Sequence, residues 1–263
     1  MKQNIKDKLN TFYFIWQFAV DDFKMKYAGV GLGTLWAFLQ PIITIILYWF
    51  IFQIGFRTQP VENFPFILWL ISGLVPWFFL SESISNATGS MVEYNYLVKK
   101  VLFNIDILPL AKVVSVFLVQ IVLIIFMIVL FCISGYWPDV YYLQIPIYLL
   151  YMIVFTTGIA YFTATLYVFF KDTVQIVSII LQILFWMTPI VWDLKIMPLA
   201  TQKILLFNPI FYVINGYRNI FVYKNGAGIG IKLIIYYWIV AILVLLLGKH
   251  LFRKCKDHFA DVL

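Results

Sequence analysis

Six long apolar runs, separated by short polar stretches, dominate the chain. The first extends from Gly33 to Phe56 without an acid or a base (GTLWAFLQPIITIILYWFIFQIGF). About 20 apolar residues, each rising 1.5 Å along a helix, cross a bilayer. This predicts membrane-spanning helices over 34–56, 65–85, 107–134, 142–169, 174–192 and 231–249. Pro76 falls inside the second, where neighbouring helices can re-satisfy the backbone. Ahead of these runs the period changes. Ile5, Leu9, Phe12, Trp16, Val20, Phe23 and Tyr27 recur every three or four positions, with Lys6, Asn10, Gln17, Asp21 and Lys24 on another face. That pattern predicts an amphipathic helix over 1–28, lying in the headgroup plane or packed on the same protein; Trp and Phe favour the headgroup plane.

Between the fifth and sixth spans the segment 193–230 is too polar to cross a membrane and too apolar for a free loop. Pro198 and Pro209 suit the first turn of two short helices. These predict re-entrant gate helices at the outer face, or else a surface loop with a little helix. The connection 86–106 mixes charge with Tyr94, Tyr96 and Leu97, and predicts either a short partner-facing helix or a solvated loop. The expected fold is all-α: a polytopic membrane protein with six transmembrane helices (29–252), an N-terminal interfacial helix (1–28), short gate helices and a tail over 253–263.

Composition agrees with the pattern. Hydrophobic residues make up 63% of the chain and charged residues only 12%, with a mean hydropathy of +0.94. A soluble domain carries roughly 45–50% apolar and about 25% charged residues. The net charge of +7 therefore points to topology and anionic headgroups rather than to nucleic acid. Of the 19 Lys and Arg residues, most lie on the side of the two termini, which is expected to be cytoplasmic. Five of the exceptions, Lys195, Lys203, Arg218, Lys224 and Lys232, cluster in and beside the re-entrant segment. The N-terminus lacks the pattern of a cleaved secretory signal.

Several chemistries are missing. Glu82, Asp106, Lys112, Lys171, Asp172, Lys232 and Lys249 fall near the expected span ends, whereas proton relays and ion-coupled pumps need ionisable groups within the membrane. His250 and His258 are C-terminal. Cys132 and Cys255 fall in a span and a tail, with no metal-ligand spacing. The glycine runs at Gly29–Gly33 and Gly226–Gly230 lack the strand and the Lys-Ser/Thr pair of a phosphate loop. No internal repeat is visible. The chain offers a pathway without an engine.

The order of short motifs resembles a known family. Asp22-Phe23-Lys24-Met25-Lys26-Tyr27, then Leu32-Gly33-Thr34-Leu35-Trp36 and Pro41, resemble its opening. Gly73-Leu74-Val75-Pro76-Trp77-Phe78-Phe79 resemble its second span. Asn95, Leu97, Val98, Lys99, Lys100 and Phe103, followed by Leu108-Pro109, resemble its first cytoplasmic loop. Lys171-Asp172, Phe185-Trp186-Met187-Thr188-Pro189-Ile190, Asn208-Pro209 and Tyr217-Arg218 complete the set. Lys171 stands where the family has Arg, and Asn104 where it often has proline. The chain thus resembles the membrane subunits of type-2 ABC exporters of polysaccharides: O-antigen, capsule and teichoic-acid permeases.

That resemblance implies a homodimer in the cytoplasmic (inner) membrane above two ATP-binding subunits. These partners would hold ATP and magnesium, and this chain no cofactor. It implies coupling to the ATPase through Tyr94, Asn95, Lys99 and Lys100. The cargo would be a glycan on a polyprenyl-pyrophosphate lipid, with Lys24, Lys26 and Arg218 as candidates for the lipid phosphate. Trp36, Tyr48, Trp49, Phe52, Trp77, Phe185 and Trp186 are candidates for the pathway, because such rings stack weakly against sugar C–H faces. Interface belts and helix packing are the alternatives for each ring, and general topology charge is the alternative for the lysines. A drug or small-lipid exporter, a channel or ion-coupled carrier and a membrane scaffold are the competing functions.

Overall fold

The computed structural model describes residues 2–58, 60, 64–100, 103–225 and 230–263, with side chains from residue 11 onward. The stripe residues Ile5, Leu9, Lys6 and Asn10, and positions 226–229 of the second glycine run, therefore lie outside the described side chains or residues. Among the described residues the regular structure is helical. Helix α1 (Lys2–Lys26) precedes α2 (Trp36–Trp49), which continues as a π-helical turn over Phe50–Gly55. Then come α3 (Phe66–Glu93), the short α4 (Asn95–Val98), α5 (Ile107–Ile133), α6 (Ile145–Phe169) and α7 (Thr173–Met187). The chain ends with α8 (Leu199–Leu205), α9 (Pro209–Arg218), α10 (Ile231–Cys255) and α11 (Phe259–Val262).

Among the described residues five segments are long and apolar enough to cross a membrane: Gly33–Gly55, Phe66–Glu93, Ile107–Ile133, Val140–Phe169 and Ile231–Val262. The fifth expected span departs from 174–192. Helix α7 has 15 residues, roughly 22 Å at 1.5 Å each, which falls short of the ~30 Å hydrocarbon core. It stops because Thr188 is extended ahead of Pro189, as the residue before a proline tends to be. The second span also differs. Helix α3 continues eight residues beyond position 85, so Glu82 lies well inside a helix rather than near its end.

Helix α3 is the centre of the bundle. Its apolar residues from Phe66 to Leu80 are nearly all buried, against α5, α6, α7 and α9. Helices α6 and α10 cross closely at two glycines: a Cβ on Gly158 would stand 2.6 Å from the Leu245 amide nitrogen, and one on Gly248 would meet the Gly158 carbonyl. Small residues at such crossings let backbones approach, which matters where lipid supplies no hydrophobic drive between helices. By contrast α2 and α7 are half-uncovered, with Ile43, Ile46, Leu47, Ile176, Ile179 and Ile183 exposed.

The C-terminal half of α1 and the C-terminal helices meet at one end of the bundle, here the terminal end. There Phe18 of α1, Tyr94 and Val98 near α4, Leu108, Tyr161, Phe252 and Phe259 form a second apolar cluster. At the opposite end α8 and α9 begin after Pro198 and at Pro209, the two expected starts. Asn208 caps α9 by accepting from the Ile210 amide at 3.0 Å, which satisfies one of its free first-turn amides. Helix α9 is buried from Ile210 to Arg218 except at the half-buried Asn215.

Candidate functional site

Three helices present matching stripes to one lateral groove. On α2 the stripe is Gln40, Thr44, Tyr48; on α3 it is Trp77, Ser81, Ser85; on α7 it is Ser178, Gln182, Trp186. Residues four apart share one helix face. Each stripe is polar towards the terminal end and aromatic away from it. Helix α3 forms the floor, while α2 and α7 form the walls.

The groove consists of two adjoining cavities of about 400 Å³ and 460 Å³ that share Thr44, Phe78, Ser81 and Ser85. The cavity nearer the terminal end is lined by Lys26, Gln40, Glu82 and Asn86. The other carries Tyr48, Trp77, Phe185 and Trp186. Phe185 is the hub of this aromatic half: its centroid lies 5.5 Å from Tyr48, stacked, 5.5 Å from Trp77 and 5.3 Å from Trp186, edge-on.

The hydroxyls are primed as acceptors. Thr44 donates to the Gln40 carbonyl at 2.9 Å, and Ser81 to the Trp77 carbonyl at 2.9 Å. This back-bonding lets a hydroxyl sit in an apolar helix and leaves its lone pairs facing the groove. Gln40 and Gln182 add amide donors and acceptors. A ligand rich in hydroxyls and C–H faces meets a partner for each kind of surface.

At the mouth, Lys26 of α1 donates to Glu82 and lies 3.4 Å from the Asn86 amide oxygen. Burial works against the Lys26 charge, but Glu82 outweighs it and raises the pKa above the ordinary lysine value. Lys26 thus stays cationic beside the groove. Lys24, two residues earlier, is exposed and does not line it.

Of the seven candidate rings, Tyr48, Trp77, Phe185 and Trp186 converge in the groove. Phe52 packs 6.4 Å beyond Tyr48, one turn further along. Trp36 is exposed near the start of α2, and Trp49 packs against the core; neither lines the groove.

Arg218 is occupied elsewhere. It is buried, donates to the carbonyls of Pro189 and Ile190 at 2.7 Å each, and stacks 3.6 Å over the Trp69 ring. Gly73 makes room, since a Cβ there would lie 3.1 Å from the Arg218 Nη2. Arginine's planar fork suits two carbonyls and one ring face together. The residue clamps the turn after α7 to α3 and α9, and it is not open to a lipid phosphate in this conformation.

The terminal end holds a second polar assembly. Lys112 on α5 donates to Asp22 on α1 at 2.5 Å and to Glu93 at the end of α3 at 2.8 Å. Tyr94 donates to the same Asp22 oxygen at 2.6 Å. Burial, and then the Asp22 carboxylate, hold the Tyr94 phenol protonated well above its usual range. The expectation that Tyr94 is presented to a partner is corrected: the ring points inward and is buried, while Asn95, Tyr96, Lys99 and Lys100 remain exposed around α4.

The polar stripes and the Asp22–Lys112 pair were missed in the sequence. The stripes carry a signal, since each repeats at i, i+4 and i+8 in a run that otherwise has only apolar reasons to exist. The ion pair carries none, because its members are 90 residues apart.

A membrane bundle with a polar and aromatic groove open along its side is the architecture of a membrane transport subunit. Residues 13–222 match the ABC-2 type transporter family, and the chain belongs to that family as its membrane permease component. It is similar to an O-antigen export system permease protein RfbA from Klebsiella pneumoniae, 28% identical over 99% of this chain and 100% of the relative. It is also similar to the RfbA of Myxococcus xanthus, 31% identical over 76% of each chain. The polysialic acid transport protein KpsM of Escherichia coli is 26% identical over 73% of this chain and 75% of that protein.

Proposed function

We propose that this chain is the transmembrane subunit of an ATP-driven exporter of lipid-linked polysaccharide, O-antigen in particular, with capsular or teichoic-acid glycan as the same chemistry in another envelope. The observation that carries the reading is the groove. Its stripes offer hydroxyl and amide partners followed by aromatic rings, and its side is open. A second copy facing it would close a channel, which gives the uncovered faces of α2 and α7 a purpose. Two cytoplasmic ATP-binding subunits would supply the work and hold ATP and magnesium. The exposed Asn95, Lys99 and Lys100 would receive them, with both termini on that same side of the cytoplasmic membrane. Lys26 at the mouth, held cationic, suits the pyrophosphate of the lipid carrier.

Weak, repeated contacts let a long polar chain slide without lodging. One ring stack contributes about 0.5–1.5 kcal/mol, enough to guide and too little to trap. The test is export by the reconstituted complex. Tyr48→Leu is expected to slow glycan export severalfold at equal expression, whereas Trp49→Leu, one residue on and outside the groove, leaves it near wild type. Equal effects from the two variants would remove the groove from the pathway.

A further inference from the structure

We infer that a cleft at the terminal end, separate from the groove, binds the phosphate of an anionic phospholipid. The cleft has a volume of about 190 Å³ and lies where α1 crosses α5, α6 and α10. Tyr161 is among its lining residues, and Lys249 and Arg253 line its α10 side. Lys249 lies 5.8 Å over the Tyr161 ring. Among the described residues neither Lys249 nor Arg253 forms an ion pair, while the Asp106 carboxylate in the wall faces Lys256 at 3.6 Å. Among the described lining residues two are cations, Lys249 and Arg253, and one is a carboxylate, Asp106, which already faces Lys256 outside the cleft.

Depth and direction select a lipid as the occupant. Phe12 and Trp16 on α1, beside the lining residue Ile15, are exposed, and such rings favour the headgroup layer. On α10 the exposed Leu246 and Ile242 precede Lys249 by three and seven residues and so share its face. An apolar strip thus leads from the cations into the hydrocarbon. A phosphodiester would sit against Lys249 and Arg253 while its acyl chains follow α10. Basic pockets between helices at this depth are physically suited to anionic headgroups.

The test is lipid retention by the purified full chain, read by native mass spectrometry after mixing with phosphatidylglycerol or phosphatidylcholine. One retained phosphatidylglycerol per chain is expected, with little phosphatidylcholine. The K249Q/R253Q double variant is expected to bind phosphatidylglycerol about 30-fold more weakly, from the typical contribution of two surface cations. R253K, which keeps the charge, should retain the lipid and control for folding. K254Q removes an exposed lysine on the same helix outside the cleft and should have no effect. An equal loss in K254Q would reduce the effect to general surface charge and overturn the site. So would equal retention of phosphatidylcholine, or displacement of the lipid by inorganic phosphate at matched concentration.

Discussion

Asp22→Asn should destabilise the whole terminal end. Asp22 and Lys112 have side chains only 4% and 6% exposed, and they meet at 2.5 Å. Removing one member of a buried pair leaves an uncompensated charge and costs roughly 3–5 kcal/mol. Glu93 moderates the loss, since it contacts Lys112 at 2.8 Å, but it is 55% exposed and hence a weaker, screened partner. Tyr94 also exchanges a carboxylate acceptor for a neutral one, a loss of about 1 kcal/mol. With Glu93 offsetting about 1 kcal/mol, a total of roughly 3–5 kcal/mol corresponds to a fall of roughly 6–20 °C in melting temperature for a chain of this size. The assay is thermal unfolding of the purified protein in one detergent, for Asp22→Asn, Lys112→Met and the Asp22→Leu/Lys112→Met double variant. The double variant should recover most of the loss, because a buried ion pair replaced by apolar side chains is often neutral. A single variant melting within about 2 °C of wild type, or a double variant no better than the singles, would refute the reasoning.

Two further outcomes follow from the same geometry. The raised Lys26 pKa means its pairing with Glu82 stabilises the mouth fully below the ordinary value of 10.5 and is lost only as pH rises through the higher folded value. Amine acylation near pH 9 should therefore modify Lys26 more slowly in wild type than in Glu82→Gln, and equal rates would dissolve the pair. Gly158→Val should force α6 and α10 apart, because its Cβ would stand 2.6 Å from backbone that cannot yield. An overpacking loss of about 1–3 kcal/mol is expected, read as a lower melting temperature; unchanged melting would show that the crossing is loose.

At the terminal end exposed and buried polar residues lie side by side. Asn95, Lys99 and Lys100 are exposed and available for direct contact. Tyr94 and Lys112 are buried and tie α1, α3 and α5 together through Asp22 and Glu93. Tyr94, at the start of α4, is joined to α1 by its hydrogen bond to Asp22.

What the sequence determined by itself was whatever depends on local composition and period. Five spans, the amphipathic α1 and the proline starts of α8 and α9 all follow from hydropathy, helical repeat and fixed proline geometry, because in lipid the backbone must satisfy its own hydrogen bonds. The aromatic half of the groove was half legible: Tyr48, Trp77, Phe185 and Trp186 stood out as rings, but nothing local distinguished them from Trp36 and Trp49. Only the tertiary structure decided that. Which face of α2 and α7 looks at α3 is set by packing around α3, and that packing placed Tyr48 in the groove and Trp49 outside it. It likewise turned Arg218 from a candidate ligand into a clamp and brought Asp22 to Lys112 across 90 residues, since side-chain charge is written in sequence while its partner is chosen by the fold.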